Sequence, residues 1–109
     1  MNMSDSFKDK LNSWLAGCQQ IINDHTAQNY KNLVPSVLTI EEGSKYIRIV
    51  STSDGGKGQR SAWAFINKEN GDILKTASWK APAKHARGNV LAPDNGLTGM
   101  GPYGPPYLR

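Results

Sequence analysis

The sequence predicts an α+β fold: a long N-terminal helix packed on a three- to four-stranded antiparallel meander, then a short helix and an extended tail rich in Gly, Pro and Tyr. Three observations support this prediction. Apolar residues among the first 30 positions recur at the helical period, and residues 36–80 alternate at the period of a strand. The last 14 residues hold seven Gly or Pro. At 109 residues the chain is predicted to form a single domain, residues 1–109.

The helix is predicted from about Asp5 to about Thr26, within an N-terminal segment of residues 1–30. Ser6 followed by Asp9 resembles a capping box. An apolar stripe runs along one side of the helix and is expected to dock on the sheet; its members are Phe7, Leu11, Trp14, Leu15, Cys18, Ile21 and Ile22. Cys18 is therefore expected to be a small core residue rather than a reactive thiol.

Four strands are predicted within residues 36–80, at 36–42, 45–53, 61–67 and 72–79. The loop before the fourth strand ends in Asn70-Gly71, two residues that tolerate positive φ, which favours a hairpin. In the third strand, alternation places Trp63 and Phe65 on one face. Either these two residues form the core, or the second face is covered by the C-terminal tail or by a second subunit, which leaves a homo-oligomer open.

Positive charge is concentrated in the C-terminal two-thirds of the chain. The formal net charge is +4, but residues 1–44 carry −2 and residues 45–109 carry +6. A basic segment of this kind favours an anionic partner. A soluble protein with a mildly positive surface is the alternative.

Residues 81–109 are predicted to form a short basic helix and the tail. Pro82 suits the first helical position and Gly88 the position after the last turn, which predicts a helix over Pro82–Arg87. If the helical phase extends back to Lys80, then Lys80, Lys84 and Arg87 share one side at i, i+4 and i+7, and Lys75 on the preceding strand can join them. Such a cluster is suited to phosphate. The alternatives are a solvated basic surface, cations that offset the helix dipole, or docking on an acidic protein.

The predicted ligand-binding set combines these cations with one histidine and three aromatic residues. His85 is expected to hydrogen bond as a neutral imidazole. The tyrosines of the tail either pack back onto the free sheet face or stack with bases. The set is Lys75, Lys80, Lys84, His85, Arg87, Trp63, Tyr103 and Tyr107.

No catalytic residue, metal site or cofactor is predicted. Two isolated histidines and one cysteine do not supply a zinc site, and "GGKG" lacks the spacing of a P-loop. The single Cys18 excludes an internal disulfide, which fits a reducing cytoplasm. No apolar run approaches the ~20 residues of a membrane span, so no membrane partner is expected.

The segments "FINKENGDILKTASWKAPAKHARGNV" and "GPYGPPYLR" resemble a group of small proteins of tailed bacteriophages. The group shares the hairpin, the K-A-P-A-K-x-x-R-G-N segment and a G-P-Y-G-P-x-Y-L-R ending; the resemblance covers residues 45–109. "VLAPDNG" departs from the shorter polar link of the group. The resemblance implies viral origin and action in the infected bacterial cytoplasm or the virion, with no activity or functional residue to carry over.

The leading functional prediction is a non-enzymatic phage protein that binds a phosphate-bearing ligand, nucleic acid or a nucleotide, through the basic turn. The alternative is a virion structural protein or an inhibitor of a host protein, acting through self-assembly or protein contacts. An enzyme that uses His85 and Asp72 is a third, weaker alternative.

Overall fold

The computed structural model describes residues 5–106. It contains a long helix, α1 (Asp5–Asn29), a helical turn, α2 (Ser53–Gly56), and five strands: β1 (Val37–Glu42), β2 (Tyr46–Thr52), β3 (Arg60–Asn67), β4 (Asp72–Thr76) and β5 (Pro82–Asn89). The strands form one antiparallel sheet in the order β1-β2-β3-β4-β5. The predicted α+β class is confirmed, with one strand more than the upper prediction. Within residues 5–106 no helix is long and apolar enough to cross a membrane.

The apolar stripe of α1 packs on one face of the sheet. Its buried side chains are Phe7, Leu11, Trp14, Cys18 and Ile22. They join a core built from Ile47 and Ile49 of β2 and from the central residues of β3. Trp14 is fully buried, and its ring lies 6.1 Å from that of Trp63. The spacing of the stripe therefore determines which face of the helix the sheet covers.

A β-bulge corrects the predicted faces of β3. Ile49 pairs with Ala64 and the next residue, Val50, pairs with Ala62, so Trp63 is an extra residue in the ladder. An extra residue breaks the two-residue alternation of a strand. Trp63 therefore joins Ala64 in the core beneath α1, while Phe65 lies on the opposite face, where its ring is 6.3 Å from that of Tyr46. The prediction that Trp63 and Phe65 share a face is wrong.

The turn between β4 and β5 lies against the face of the sheet opposite α1. β4 ends at Thr76, earlier than predicted, and Trp79 folds back so that the Arg48 guanidinium lies 4.2 Å from its ring centroid. Arg48 also donates to the Trp79 carbonyl at 3.2 Å. Glu41 binds both Arg48, at 2.7 Å, and Arg60. Among residues 5–106 it is the turn that contacts the second face, whereas carbonyl groups in the described part of the tail accept hydrogen bonds from Trp63, Lys75 and Arg87.

The predicted helix over Pro82–Arg87 is wrong, because this segment is strand β5. Thr76 pairs with Pro82, Leu74 with Ala86 and Ile73 with Gly88, with two irregularities in the ladder. β4 is buried at Ile73 and Leu74, and an unpaired edge there would leave its backbone groups without partners. Pairing with β5 satisfies them, and this outweighs the weak local preference for one or two helical turns. Pro82 stands at the first position of the strand, where a missing N–H is tolerated.

Candidate functional site

The predicted basic cluster does not form one patch. In an extended strand the spacing i, i+4, i+7 does not bring side chains together, so the cations diverge. Lys80 lines a small cavity of about 240 Å³ on the face opposite α1, beside Arg48. Lys84 and His85 are exposed on β5. Lys75 and Arg87 lie close enough for the charge of Arg87 to lower the pKa of Lys75.

Lys75 and Arg87 both bind the C-terminal tail. Lys75 Nζ donates to the Pro105 carbonyl at 2.6 Å, and Arg87 Nη1 donates to the Pro106 carbonyl at 2.7 Å. Burial, and then the charge of Arg87, lower the pKa of Lys75. Proline lacks an N–H but keeps a strong carbonyl acceptor, so a Pro-rich segment is well suited to being held by cationic donors.

A tight turn in the tail places Tyr103 beside the end of α1. Gly101 and Gly104 exchange two backbone hydrogen bonds of 3.1 and 3.2 Å, which leaves Pro102 and Tyr103 at the tip. Gly104 has a φ of 119°, and a Cβ there would lie 2.9 Å from the Trp63 carbonyl oxygen. Trp63 Nε1 donates to the Pro102 carbonyl at 3.3 Å. The turn is therefore held against β3 by the hydrogen bond from Trp63 to Pro102 and by the close approach of Gly104 to the Trp63 backbone.

Three rings cluster where this turn meets α1. Tyr103 Oη lies 3.2 Å from His25 Nε2, and the two rings are 5.5 Å apart. The ring of Tyr30 lies 5.9 Å from that of His25. A hydrogen bond between the hydroxyl groups of Tyr30 and Tyr103 raises the pKa of Tyr103. Tyr103 thus contacts the helix end rather than either predicted partner, Trp63 or Phe65, although the tail itself packs on Trp63. Tyr107 lies outside the described residues.

These elements enclose a half-open groove of about 760 Å³ at one end of the sheet. Of the predicted site residues, it brings together Trp63, Lys75 and Tyr103; Lys80, Lys84, His85 and Arg87 do not line it. Eight lining side chains carry a hydroxyl group, namely Thr26, Tyr30, Ser36, Ser51, Ser53, Ser61, Thr76 and Tyr103. The charged side chains among its lining residues are Lys75 and Asp54.

Exposed apolar side chains concentrate at this groove. Six large apolar residues of the described chain are exposed, and four of them line the groove: Tyr30, Leu33, Val34 and Tyr103. The exposed fraction of Leu33 is 62% and that of Tyr103 is 75%. Contiguous exposed apolar surface marks sites of interaction. The groove is therefore the candidate binding site.

Several residues that line the groove were not predicted from the sequence. His25, Tyr30, Leu33, Val34 and Asp54 were not among the predicted site residues, yet all line the groove. The sequence does contain one indication of this site. Leu33 and Val34 are large apolar residues in the link between a helix and a strand, where neither the helical nor the strand periodicity accounts for them.

Cysteine and metal chemistry find no support in the described residues. Cys18 is buried in the core, and burial raises the pKa of its thiol to about 12, so its nucleophilic thiolate is strongly disfavoured. Between residues 5 and 106 no group of three His, Cys, Asp or Glu side chains is placed to hold a metal ion.

Fold and groove together define a two-layer α+β protein with an aromatic-lined groove at one end of its sheet. The chain belongs to a family of unknown function, DUF7717, and the match covers residues 3–100. That range includes α1 and all five strands but ends before Pro102 and Tyr103 of the groove. No curated protein and no solved structure matches the chain at a significant level.

Proposed function

We propose that this chain is a phage-encoded, non-enzymatic protein that binds a phosphate-bearing ligand, a nucleotide or the end of a nucleic acid, in the groove. The observation that carries the proposal is the joining of three aromatic residues and a lysine, Tyr30, Trp63, Tyr103 and Lys75, in one half-open groove. The sequence resemblance supports the viral origin and, with it, action in the infected bacterial cytoplasm.

The aromatic mouth is suited to a nucleobase. Tyr30 and Tyr103 expose 46% and 75% of their surface, so their rings are accessible to a ligand. Stacking of a base on an aromatic side chain contributes about 1–3 kcal/mol and accepts every base, because each base has a π face. The tight turn that carries Tyr103 is fixed to Trp63, so little ordering is needed on binding.

Lys75 supplies the positive charge that a phosphate needs. Its ammonium group is a compact positive charge, which donates a hydrogen bond to the Pro105 carbonyl at 2.6 Å. Arg87 lies near enough to lower the pKa of Lys75, so both cations add to the potential at this wall. A bound phosphate would stabilise the charged form of Lys75 and offset that repulsion.

The size of the groove agrees with such a ligand. Pockets for small molecules measure roughly 300–1,000 Å³ and are largely apolar, with a few polar groups that fix orientation. The groove, at about 760 Å³, lies within this range and combines apolar walls with the eight hydroxyl groups and Lys75.

Calorimetric titration tests the proposal. The probes are the four ribonucleoside 5′-monophosphates and short single-stranded oligonucleotides. We compare wild type with Lys75→Gln and with the matched control Lys84→Gln, which changes an exposed lysine outside the groove. Because a hydrogen bond to a charged group contributes about 1.5–3 kcal/mol, Lys75→Gln should weaken binding roughly tenfold or more, and Lys84→Gln should leave it unchanged.

Two further measurements make the test decisive. Affinity should fall as salt rises toward physiological ionic strength, because the interaction is with a charged phosphate near the surface. Circular dichroism must show that Lys75→Gln remains folded, since Lys75 also holds Pro105. Absence of binding for every probe, or equal binding by the two lysine variants, contradicts the proposal.

A second candidate function is contact with a protein, either a host protein or a second copy of the chain in the virion. The observation that favours it is the exposure of Leu33 and Val34, aliphatic side chains that a nucleotide does not require. Size-exclusion chromatography with light scattering separates the two. This second function would be favoured if the wild-type protein, free of nucleotide at every stage of the measurement, forms an oligomer and the Leu33→Ser variant does not.

A further inference from the structure

We infer that the chain binds a proline-rich peptide segment at a site formed by Trp63, Lys75 and Arg87, and that a second copy of the chain supplies this segment from its C-terminal end. We call these three side chains the proline site. In the structure, the tail of the same molecule occupies the site through three of its prolines. The inference goes beyond the proposed function and does not rest on it, because the segment carries no phosphate.

The proline site consists of three hydrogen-bond donors on neighbouring strands, each bonded to a proline carbonyl. The pairs are Trp63 Nε1 with Pro102 at 3.3 Å, Lys75 Nζ with Pro105 at 2.6 Å and Arg87 Nη1 with Pro106 at 2.7 Å. The donors belong to β3, β4 and β5, which are consecutive in the sheet. The carbonyls therefore follow the order of the strands, and the tail crosses the sheet instead of adding a strand to it.

Strand register keeps the three donors near one level of the sheet. Leu74 of β4 pairs with Phe65 of β3 on one side and with Ala86 of β5 on the other. Each donor lies within two residues of this level along its own strand. At about 3.4 Å per residue, the displacement along the strands is within the reach of a Lys or Arg side chain.

Two β-bulges set the direction of the outer donors. Trp63 is the extra residue on β3. Arg87 is the extra residue on β5, where it falls between two paired residues, Ala86 and Gly88. A bulge redirects a side chain out of the regular alternation of a strand, and bulges occur next to functional sites. Both irregularities of the sheet thus direct a donor to the same segment.

The tail is held in the way a bound peptide is held. The chain before it is anchored by Leu97 and Met100, which pack against the core. The two backbone hydrogen bonds between Gly101 and Gly104 lie within the tail, and side-chain donors connect its carbonyls to the sheet. Gly104 and Pro105 are nevertheless buried. An identical segment from another molecule can make the same contacts.

Proline suits a row of donors for two physical reasons. Its ring fixes φ at about −65°, so the segment loses little conformational entropy when it docks. It also lacks an N–H group but keeps a carbonyl acceptor, so a site that offers donors leaves no backbone group of the proline unpaired. Aromatic surfaces recognise proline-rich segments by this combination of a stiff backbone and exposed carbonyls.

A second copy of the chain supplies a segment that fits. Each tail leaves the core beside its own proline site, so two copies related by a two-fold axis can exchange tails reciprocally and form a closed dimer. Gly101 follows the anchored Met100 directly and can adopt the altered backbone that exchange requires. Residues 101–106 span at most about 20 Å when extended, which requires the two sites to face each other closely.

The experiment uses two full-length variants with complementary defects. Gly104→Val disfavours docking of its own tail, because a β-branched residue is strained at a φ of 119° and its Cβ would lie 2.9 Å from the Trp63 carbonyl oxygen. Its proline site is unchanged. Lys75→Gln/Arg87→Gln keeps the tail but lacks two of the three donors. The probe is a synthetic peptide with the sequence of residues 99–109.

In Gly104→Val, the indole N–H resonance of Trp63 should move away from its wild-type position and return when the peptide is added. Adding Arg87→Gln to this variant should weaken peptide binding roughly tenfold or more, because a hydrogen bond from a charged donor is lost. Adding Lys84→Gln, an exposed residue on the same strand, should leave it unchanged. Arg87 does not line the groove, so its substitution addresses the proline site rather than the nucleotide.

Mixing the two variants tests the second copy. At concentrations above the dissociation constant of the peptide, light scattering should show a 1:1 complex of Gly104→Val with Lys75→Gln/Arg87→Gln, and monomers for each variant alone. Circular dichroism must show that both variants fold. If Gly104→Val does not, Pro105→Gly/Pro106→Gly replaces it, because this change loosens the tail without introducing strain.

Three results would each overturn the inference. The first is a Trp63 resonance that the peptide does not move. The second is equal peptide affinity for the Arg87→Gln and Lys84→Gln forms. The third is a mixture of the two complementary variants that contains only monomers. Because the peptide carries no phosphate, these outcomes are the same whether or not the groove binds nucleotides.

Discussion

The edge of the sheet next to α1 depends on one glutamine side chain, and removing it gives a sharp test of the fold. Gln19 Nε2 donates to the Ser36 carbonyl at 2.8 Å, and Gln19 Oε1 accepts from the Leu38 N–H at 2.8 Å. The amide thus binds the free edge of β1 as a neighbouring strand would. Because Leu38 is buried, its N–H would have little access to water without Gln19.

We predict that Gln19→Ala lowers the free energy of unfolding by about 2 kcal/mol. The lost hydrogen bonds to Ser36 and Leu38 contribute about 1 kcal/mol each, and the unpaired N–H of Leu38 adds a desolvation cost of similar size. A third bond, to Asn23 Oδ1 within the helix at 3.0 Å, is also lost, as the bond to Asp24 is in the control below. Partial access to water at this half-buried position and the better helix propensity of Ala offset part of the loss. For a domain of this size, 2 kcal/mol corresponds to a decrease in Tm of roughly 8 °C.

The neighbouring glutamine is the matched control. Gln20 is exposed on the same helix, and its side chain donates to Asp24 Oδ1 at 2.8 Å. Gln20→Ala gains the same helix propensity but loses no contact with the sheet. Urea unfolding followed by circular dichroism should show Gln20→Ala within ~0.5 kcal/mol of wild type. Equal midpoints for the two variants would refute the idea that Gln19 completes the edge of β1.

Two further predictions concern the tail and the Glu41 ion pairs. Gly104→Ala should lower the free energy of unfolding by about 1–3 kcal/mol, because alanine is strained at a φ of 119° and its Cβ would press on the Trp63 carbonyl. Gly99→Ala is the control: its φ is also positive, but the nearest atom to the added Cβ is 3.5 Å away. In thermal melts of the two variants, Gly99→Ala should lose less stability than Gly104→Ala. Hydrogen bonds from Arg48 and then Arg60 lower the pKa of Glu41, so its contribution is present above the ordinary value of 4.5 and is lost as pH falls through the lowered folded-state value. Stability measured against pH should therefore show Glu41→Gln below wild type at neutral pH and converging with it in acid. Glu69→Gln, which removes a carboxylate from an exposed turn, is the matched control. A gap between Glu41→Gln and wild type that stays constant with pH would contradict the reasoning.

Local patterns in the sequence determined most of the elements. The apolar stripe of α1 is read within one helix, because residues three and four apart share a face. The hairpin between β3 and β4 is equally local: Gly71 takes a φ of 82°, and its N–H donates to the Asn67 carbonyl at 2.8 Å. In both cases the interactions that decide the structure lie within a few positions of each other in the chain.

Tertiary structure alone decided β5, the face of Trp63 and the groove. Pro82–Arg87 has a helix-like composition, but the unpaired edge of β4 required a strand, and that requirement is invisible in the segment itself. The groove joins His25 to Tyr103, 78 residues later, and places Asp54 and Lys75 on either side of β3. Their proximity follows from strand order and from a tail held by Lys75 and Arg87, both of which are non-local contacts. Residue types in the sequence identified Trp63, Lys75 and Tyr103 as candidates; only the folded chain placed them in one groove and placed Lys80, Lys84 and His85 elsewhere.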